Sequence, residues 1–116
     1  MIEYFDKAGR AAAFCDFGKD LYLWDGRPAG FIDGDAVFSY SGRFIGWMGD
    51  GWLCDEAGLR LLFEYDAVGG PTKPPRTPKS PIGVRGPKPG KKPHEAPPAR
   101  GPISPAWSDH AFSALI

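Results

Sequence analysis

Two stretches decide the fold: Tyr22-Leu-Trp-Asp-Gly-Arg-Pro-Ala-Gly-Phe-Ile (residues 22–32) and Phe38-Ser-Tyr-Ser-Gly-Arg-Phe-Ile-Gly-Trp (residues 38–47). Each has a Gly-Arg pair, with an aromatic residue five places after the glycine. Working outward, the pattern recurs on Gly9, Gly26, Gly42 and Gly58, at spacings of 17, 16 and 16 residues. Position +1 reads Arg10, Arg27, Arg43 and Leu59, and position +5 reads Phe14, Phe31, Trp47 and Phe63. Position −4 reads Phe5, Tyr22, Phe38 and Cys54. Four copies with an aromatic in one fixed slot are an internal repeat.

A unit of about 16 residues is too short for a helix pair and suits one β-hairpin. Asp25-Gly26 and Ser41-Gly42 are turn dipeptides, and Lys7-Ala8-Gly9 and Glu56-Ala57-Gly58 place Gly where a three-residue loop needs positive φ. Asp16-Phe17-Gly18, Asp33-Gly34-Asp35 and Gly49-Asp50-Gly51 read as the second turn of each repeat. Strand alternation predicts that +1, +3 and +5 share one face, which makes Phe14, Phe31, Trp47 and Phe63 the repeat core. Gly30 and Gly46 at +4 point the other way, where a neighbouring hairpin approaches closely. Pro28 lacks an N–H and belongs beside a turn or on an edge. The expected fold is all-β: four short hairpin repeats pooling their aromatics around a pseudo-four-fold axis.

The chain has 116 residues, 42% hydrophobic, with 16 Gly, 13 Pro, 2 Cys and a net charge of zero. That length holds one ordinary domain. It leaves no room for a multidomain enzyme, and the composition excludes a disulfide scaffold and an apolar run of the roughly 20 residues that span a bilayer. The averages conceal a division into three parts. Residues 1–68 carry 6 Lys/Arg against 12 Asp/Glu, a net of −6, and hold 14 aromatics. Residues 69–105 carry 8 Lys/Arg against 1 acid, a net of +7, hold 12 prolines and lack aromatics. Residues 106–116 return to apolar chemistry with Trp107, Phe112, Leu115 and Ile116. The expected organisation is a four-hairpin domain (1–68), a basic Pro/Gly-rich linker that is disordered or polyproline II (69–105), and an apolar docking tail (106–116), helical or extended. Ser108-Asp109 can cap a helix start, with Ala111/Leu115 and Phe112/Ile116 at i,i+4 spacing.

The inventory for chemistry is thin. His94 and His110 lie in the linker and tail, and the hairpin region offers no nucleophile–base pair, so neither catalytic, cofactor nor metal residues are assigned. Asp33-Gly34-Asp35 lacks the remaining ligands of a calcium loop and reads as a turn. Arg10, Arg27 and Arg43 are the notable polar set: a candidate anion site, or surface pairs with neighbouring Asp side chains, which is the commoner arrangement. Cys15 and Cys54 are expected as reduced thiols, with a bridge between them left open. The start, Met1-Ile-Glu-Tyr-Phe-Asp, has no basic, apolar leader character, so a cytoplasmic location is expected and no membrane partner.

The run from Tyr22 to Phe63, with Leu53-Cys-Asp-Glu-Ala-Gly, together with the Pro-rich stretch ending in Trp107-Ser, Phe112 and Leu115, resembles the four-fold β-flower family. The first repeat departs from the pattern at Ala11-Ala12-Ala13. The resemblance implies an all-β head of four petals and brings no reaction, ligand or catalytic residue with it. Beside it, the residues point to a non-enzymatic interaction or structural module. It is expected to self-associate, with the tethered tail docked on its own or another subunit's β domain, as a homo-oligomer or in cis. The alternative is nucleic-acid or acidic-surface binding through the basic linker (Arg76, Lys79, Arg85, Lys88, Lys91, Lys92, Arg100), which is disfavoured because no aromatic is interleaved to stack bases. Pro71-x-x-Pro74 and Pro75-x-x-Pro78 offer a protein partner a proline motif.

Overall fold

The computed structural model describes residues 1–16 and 19–116. Among these residues, eight antiparallel strands close into a barrel in chain order: β1 (Ile2–Phe5), β2 (Ala11–Asp16), β3 (Asp20–Leu23), β4 (Pro28–Asp33), β5 (Ala36–Phe38), β6 (Phe44–Gly49), β7 (Trp52–Asp55) and β8 (Arg60–Phe63). Each repeat is one hairpin, so the four Gly turns gather at one end of the barrel, here called the mouth. All four are built alike. In the first, Gly9 N–H donates to Asp6 O at 2.9 Å and Asp6 N–H to Arg10 O at 2.9 Å. The same pair of bonds recurs on Leu23/Gly26, Ser39/Gly42 and Asp55/Gly58. The glycines have φ of 79°, 96°, 93° and 87°, the left-handed residue that ends a three-residue hairpin loop.

At the opposite end the connections are shorter. Asp50 and Gly51 both have positive φ, as a type I′ turn requires, and Gly34 supplies the positive φ between β4 and β5. The turn expected at Asp16-Phe17-Gly18 includes Phe17 and Gly18, which lie outside the described residues. Pro28 is the first residue of β4, where its missing N–H costs nothing.

The facing of the strands corrects one expectation. Each Gly-turn hairpin carries a β-bulge, leaving Ala12, Ala29, Ile45 and Leu61 (position +3 in every repeat) without a register partner. A bulge shifts the alternation by one. Position +3 therefore faces the barrel interior, and +5 faces outward with −4. The interior cluster draws from all eight strands and is mainly aliphatic: it includes Cys15, Leu21, Val37, Ile45, Leu53 and Leu61, closed by Phe112 of the tail. Phe14, Phe31, Trp47 and Phe63 are buried, yet they belong to aromatic groups on the outer wall. Phe14 stacks on Tyr22 at 5.3 Å, Phe31 on Phe38 at 5.7 Å, Trp47 lies edge-on to Phe44 at 5.1 Å, and Phe63 tilts on Trp52 at 5.8 Å. Gly30 and Gly46 lie where a Cβ would strike the carbonyls of Phe38 and Cys54 on the next strand, the close approach that their absent side chains allow.

What covers the outer aromatics is the Pro-rich segment. The stretch expected as a spacer has no regular secondary structure, but it runs around the barrel as a belt at the mouth rim. Thr77 N–H donates to Gly9 O, Gly86 to Gly26 O, Glu95 to Gly42 O and Ser104 to Gly58 O, all at 2.9–3.0 Å. Donor positions advance by nine residues per turn. Two residues before each donor, the carbonyls of Pro75, Val84, Pro93 and Pro102 lie against the same glycines, where any Cβ would collide. The 27 residues between the first and last donor span about 84 Å at polyproline rise. Three-quarters of a circle as wide as the molecule's 36 Å diameter is about 85 Å. The belt is an extended chain fitted to the barrel's girth.

Two glycines separate the demand for positive φ from the demand for space. Gly34 (φ 66°) has open surroundings, whereas Gly42 (φ 93°) has the Pro93 carbonyl where its Cβ would go. Gly34→Ala should lose about 1–2 kcal/mol, the cost of a left-handed L-residue. Gly42→Ala should lose more in urea unfolding and should also speed tryptic cleavage after Lys91, because the belt must lift there.

Candidate functional site: the tail-filled mouth

The belt ends where it began, beside β8, and delivers the tail to the mouth. β1 and β8 share a single register pair, Phe5 and Phe63. That seam leaves the Arg60 backbone to bond elsewhere: Arg60 N–H donates to Ala106 O at 2.9 Å and Ser108 N–H to Arg60 O at 2.8 Å. Trp107, in a parallel bridge with Arg60, sits on the outer wall against Trp52 (5.5 Å) and Phe63 (6.0 Å). The chain then crosses the rim between the fourth and first turns. Lys7 of the first turn donates Nζ to Ser108 O at 3.2 Å. Ser108 is buried, donating Oγ to Asp55 Oδ2 at 2.7 Å and accepting the His110 N–H at 3.1 Å.

Beyond the rim, Phe112 enters the interior cluster and retains 5% exposure, while Leu115 packs beside it half-buried. Ile116 stays 39% exposed. The tail's helix is one 3-10 turn, Phe112–Ala114, with Ala111 at its N-cap. Ser108 does not cap it, because its hydroxyl is spent on Asp55 and His110. Of the four tail residues, then, Trp107 seals the seam, Phe112 and Leu115 fill the mouth, and Ile116 remains at the surface.

The three arginines stand around this mouth rather than converging on one point. Arg10 pairs its Nε with Asp6 Oδ2 at 3.4 Å and Arg27 with Asp25 Oδ2 at 2.8 Å, and both side chains are over 70% exposed. The same aspartates cap their own turns. Asp6 Oδ1 accepts the Ala8 and Arg10 N–H groups, and Asp25 Oδ1 accepts that of Arg27, which lowers the Asp25 pKa. Arg43 borders the cleft between the third and fourth turns.

The belt's cations engage the barrel at closer quarters. Lys79 reaches Glu3 (2.8 Å), Arg85 reaches Asp16, Lys88 reaches Asp20 (2.9 Å), His94 reaches Asp33 (3.0 Å) and Arg100 reaches Asp35 (2.5 Å). Several of these and their neighbours also lie over rings: Arg76 over Tyr65 at 4.2 Å, Lys91 over Phe31 at 4.8 Å and Arg100 over Trp47 at 5.5 Å. Burial works to raise the Asp20 carboxyl, but hydrogen bonds from Lys88 and Tyr40 and the charges of Lys88 and Lys91 outweigh it and lower its pKa. Trp24 Nε1 donates to Ser80 O at 2.9 Å and Trp52 Nε1 to Val68 O at 3.0 Å. The sequence pattern concealed this network, since most of the contacts run between segments 50 to 80 residues apart.

His94 joins the belt to the outer wall. Its ring stacks on Phe38 at 3.9 Å, with Nδ1 2.9 Å from Glu95 O and Nε2 3.0 Å from Asp33 Oδ2. Only the imidazolium can donate to both acceptors at once. His110 borders two clefts at the mouth. Cys15 belongs to the interior cluster and Cys54 to the outer one, so the barrel wall separates the two buried thiols. Burial raises the Cys54 pKa, which favours the protonated thiol. Among the described residues there is no His/Cys/Asp/Glu group that could hold a metal ion, and no helix is long and apolar enough to cross a membrane.

A barrel of four hairpin repeats, belted by one Pro-rich segment and filled at the mouth by its own tail, defines a small repeat protein with one continuous architecture. The match to known families covers that whole architecture: the chain belongs to the 4-fold beta flower protein family, over residues 2–116. This is not a known enzyme family. Neither curated proteins nor solved structures give a match.

The His94 contacts carry a pH dependence with a definite sign. Its folded pKa is raised, first by the bond to Glu95 O and then by that to Asp33. The stabilisation is therefore complete below the ordinary value of 6.5 and is lost as pH rises through the higher folded value. Melting temperatures should fall between pH 6 and pH 8, and His94→Gln should remove that step, in thermal melts across about this range.

Proposed function

We propose that this chain is a non-catalytic interaction module whose barrel mouth is occupied by its own tail, and that the tail is the element exchanged when copies associate. The observation carrying this reading is Phe112, set in the interior cluster within an eleven-residue segment (106–116) whose backbone-to-backbone bonds to the barrel, among the described residues, are the two at Arg60. The segment's contacts, Trp107 on Trp52 and Phe63, Phe112 and Leu115 in the mouth, the Ser108–Asp55 bond and the two-bond bridge at Arg60, are separate from the hairpins' own ladders, so it can leave and return without unfolding them. The belt fixes its local concentration near the mouth, which favours occupation in cis over occupation by a second copy.

Binding of nucleic acid through residues 69–105 draws weaker support. Five of the segment's basic side chains pair with barrel acids, and Arg76 and Lys91 lie on rings. Phosphates would have to compete with each contact. The proline motif at Pro75-x-x-Pro78 likewise lies against the first turn, with Thr77 bonded to Gly9. Two buried, separate thiols suit the reducing cytoplasm.

Phe112→Ala should destabilise by about 3 kcal/mol, towards the low end for a buried Phe because the tail can peel away instead of leaving a void. For a domain of this size that is a fall in melting temperature on the order of 10 °C. A chain ending at residue 105 should melt similarly lower and should bind a synthetic 106–116 peptide. An unchanged melt with no peptide binding would overturn the reading.

A further inference from the structure

Four turns make four gaps at the mouth, and the tail enters through one of them. The other three are clefts. Between the first and second turns the cleft holds 740 Å3, between the second and third 510 Å3, and between the third and fourth 330 Å3. Bulge residues line all three: Ala12 and Ala29 in the two larger clefts and Ile45 in the smallest, with Leu61 of the fourth repeat beside Ala12 in the largest. The widest space thus opens where the sequence departs most from its own repeat, at Ala11-Ala12-Ala13.

Its chemistry is divided. The floor and walls are Ala12, Leu23, Trp24, Leu61, Leu62 and Phe112. The rim carries both Arg10 and Arg27, whose contacts with Asp6 and Asp25 are made through Nε. Of the facing carboxylates, Asp6 and Asp25 are held by turn N–H groups, and Asp109 approaches from the tail. An apolar volume in the range of ligand pockets, with two guanidinium forks at its lip, suits a molecule with an apolar body and an anionic head.

We propose that this cleft binds a medium-length amphipathic carboxylate, with its chain against Trp24 and Leu61 and its carboxylate between Arg10 and Arg27. Binding takes place with the tail seated, because Phe112 forms part of the wall. It therefore does not depend on exchange of the tail between copies.

Calorimetric titration of the full chain with decanoate, and with decylammonium as the cationic counterpart, tests the assignment. Decanoate should occupy one saturable site, and decylammonium should bind at least tenfold more weakly. Ala12→Leu, which fills the floor, should weaken decanoate at least tenfold. The double variant Arg10→Gln/Arg27→Gln, at exposed positions that leave the fold intact, should weaken it at least fivefold. Equal binding of the two amphiphiles, no decanoate binding, or decanoate affinity unchanged in the arginine variant would overturn the proposal. The arginine variant decides the matter even if Ala12→Leu fails to fold.

Discussion

The contact on which the rest of the structure depends is between peptide groups: the belt backbone lying on the four turn glycines. Each glycine satisfies two independent demands. Its positive φ completes the three-residue turn, and its missing Cβ lets the belt's carbonyl approach while the belt N–H two residues on bonds the glycine's own C=O. An Asn can meet the first demand at moderate cost but not the second. The hairpins advance a quarter of the barrel in 16 or 17 residues of folded strand, and the belt makes the same advance in nine residues of extended chain. The two repeats are commensurate in space although they differ in sequence length.

The belt resolves a problem inherent in so small a barrel. Interior positions of an eight-stranded barrel are filled by side chains, and about 68 residues cannot also bury an aromatic outer wall by themselves. Phe5, Phe14, Phe31, Phe38, Trp47, Trp52 and Phe63 would otherwise form an exposed apolar girdle. Prolines, already restricted in the unfolded chain, order at lower entropic cost than other residues. The Lys and Arg stems cover rings while their charged ends reach the carboxylates of β1 to β3 and the turn between β4 and β5. Each half-exposed pair is worth at most about 1 kcal/mol. Their joint effect is to hold the belt in phase. The cancellation of −6 against +7 is thus an internal interface.

What was legible in the sequence follows from which contacts are local. The turn glycines announced themselves, because a three-residue loop specifies its residues within a few positions. The bulges did not: Ala12, Ala29, Ile45 and Leu61 share no side-chain character, and the extra residue is set by the ladder to a distant strand. Missing them placed Phe14, Phe31, Trp47 and Phe63 on the wrong side of the wall. The nine-residue belt repeat was visible in part, in Arg76-Thr-Pro-Lys and Arg85-Gly-Pro-Lys and in Pro75, Pro93 and Pro102. Its functional positions, Thr77, Gly86, Glu95 and Ser104, have nothing in common except an N–H. In a Pro-rich segment the informative signal was the regular absence of proline.

The same commensurability fixes where the tail lands. After leaving β8 the belt reaches the first turn at Thr77, makes three steps of nine to the fourth turn at Ser104 and so returns to the seam, where β1 leaves the Arg60 backbone to be bonded by residues 106 and 108. A belt longer or shorter by one residue between any two turns would move every later donor off its glycine, and in the last quarter would bring Pro105 or Ile103 to the place of Ser104. The tail would then reach β8 out of phase, with Trp107 no longer between Trp52 and Phe63. A single tail cannot obey four-fold symmetry, so occupying one gap makes the other three inequivalent. The asymmetry of the mouth is therefore a consequence of closing four equal petals with one chain end.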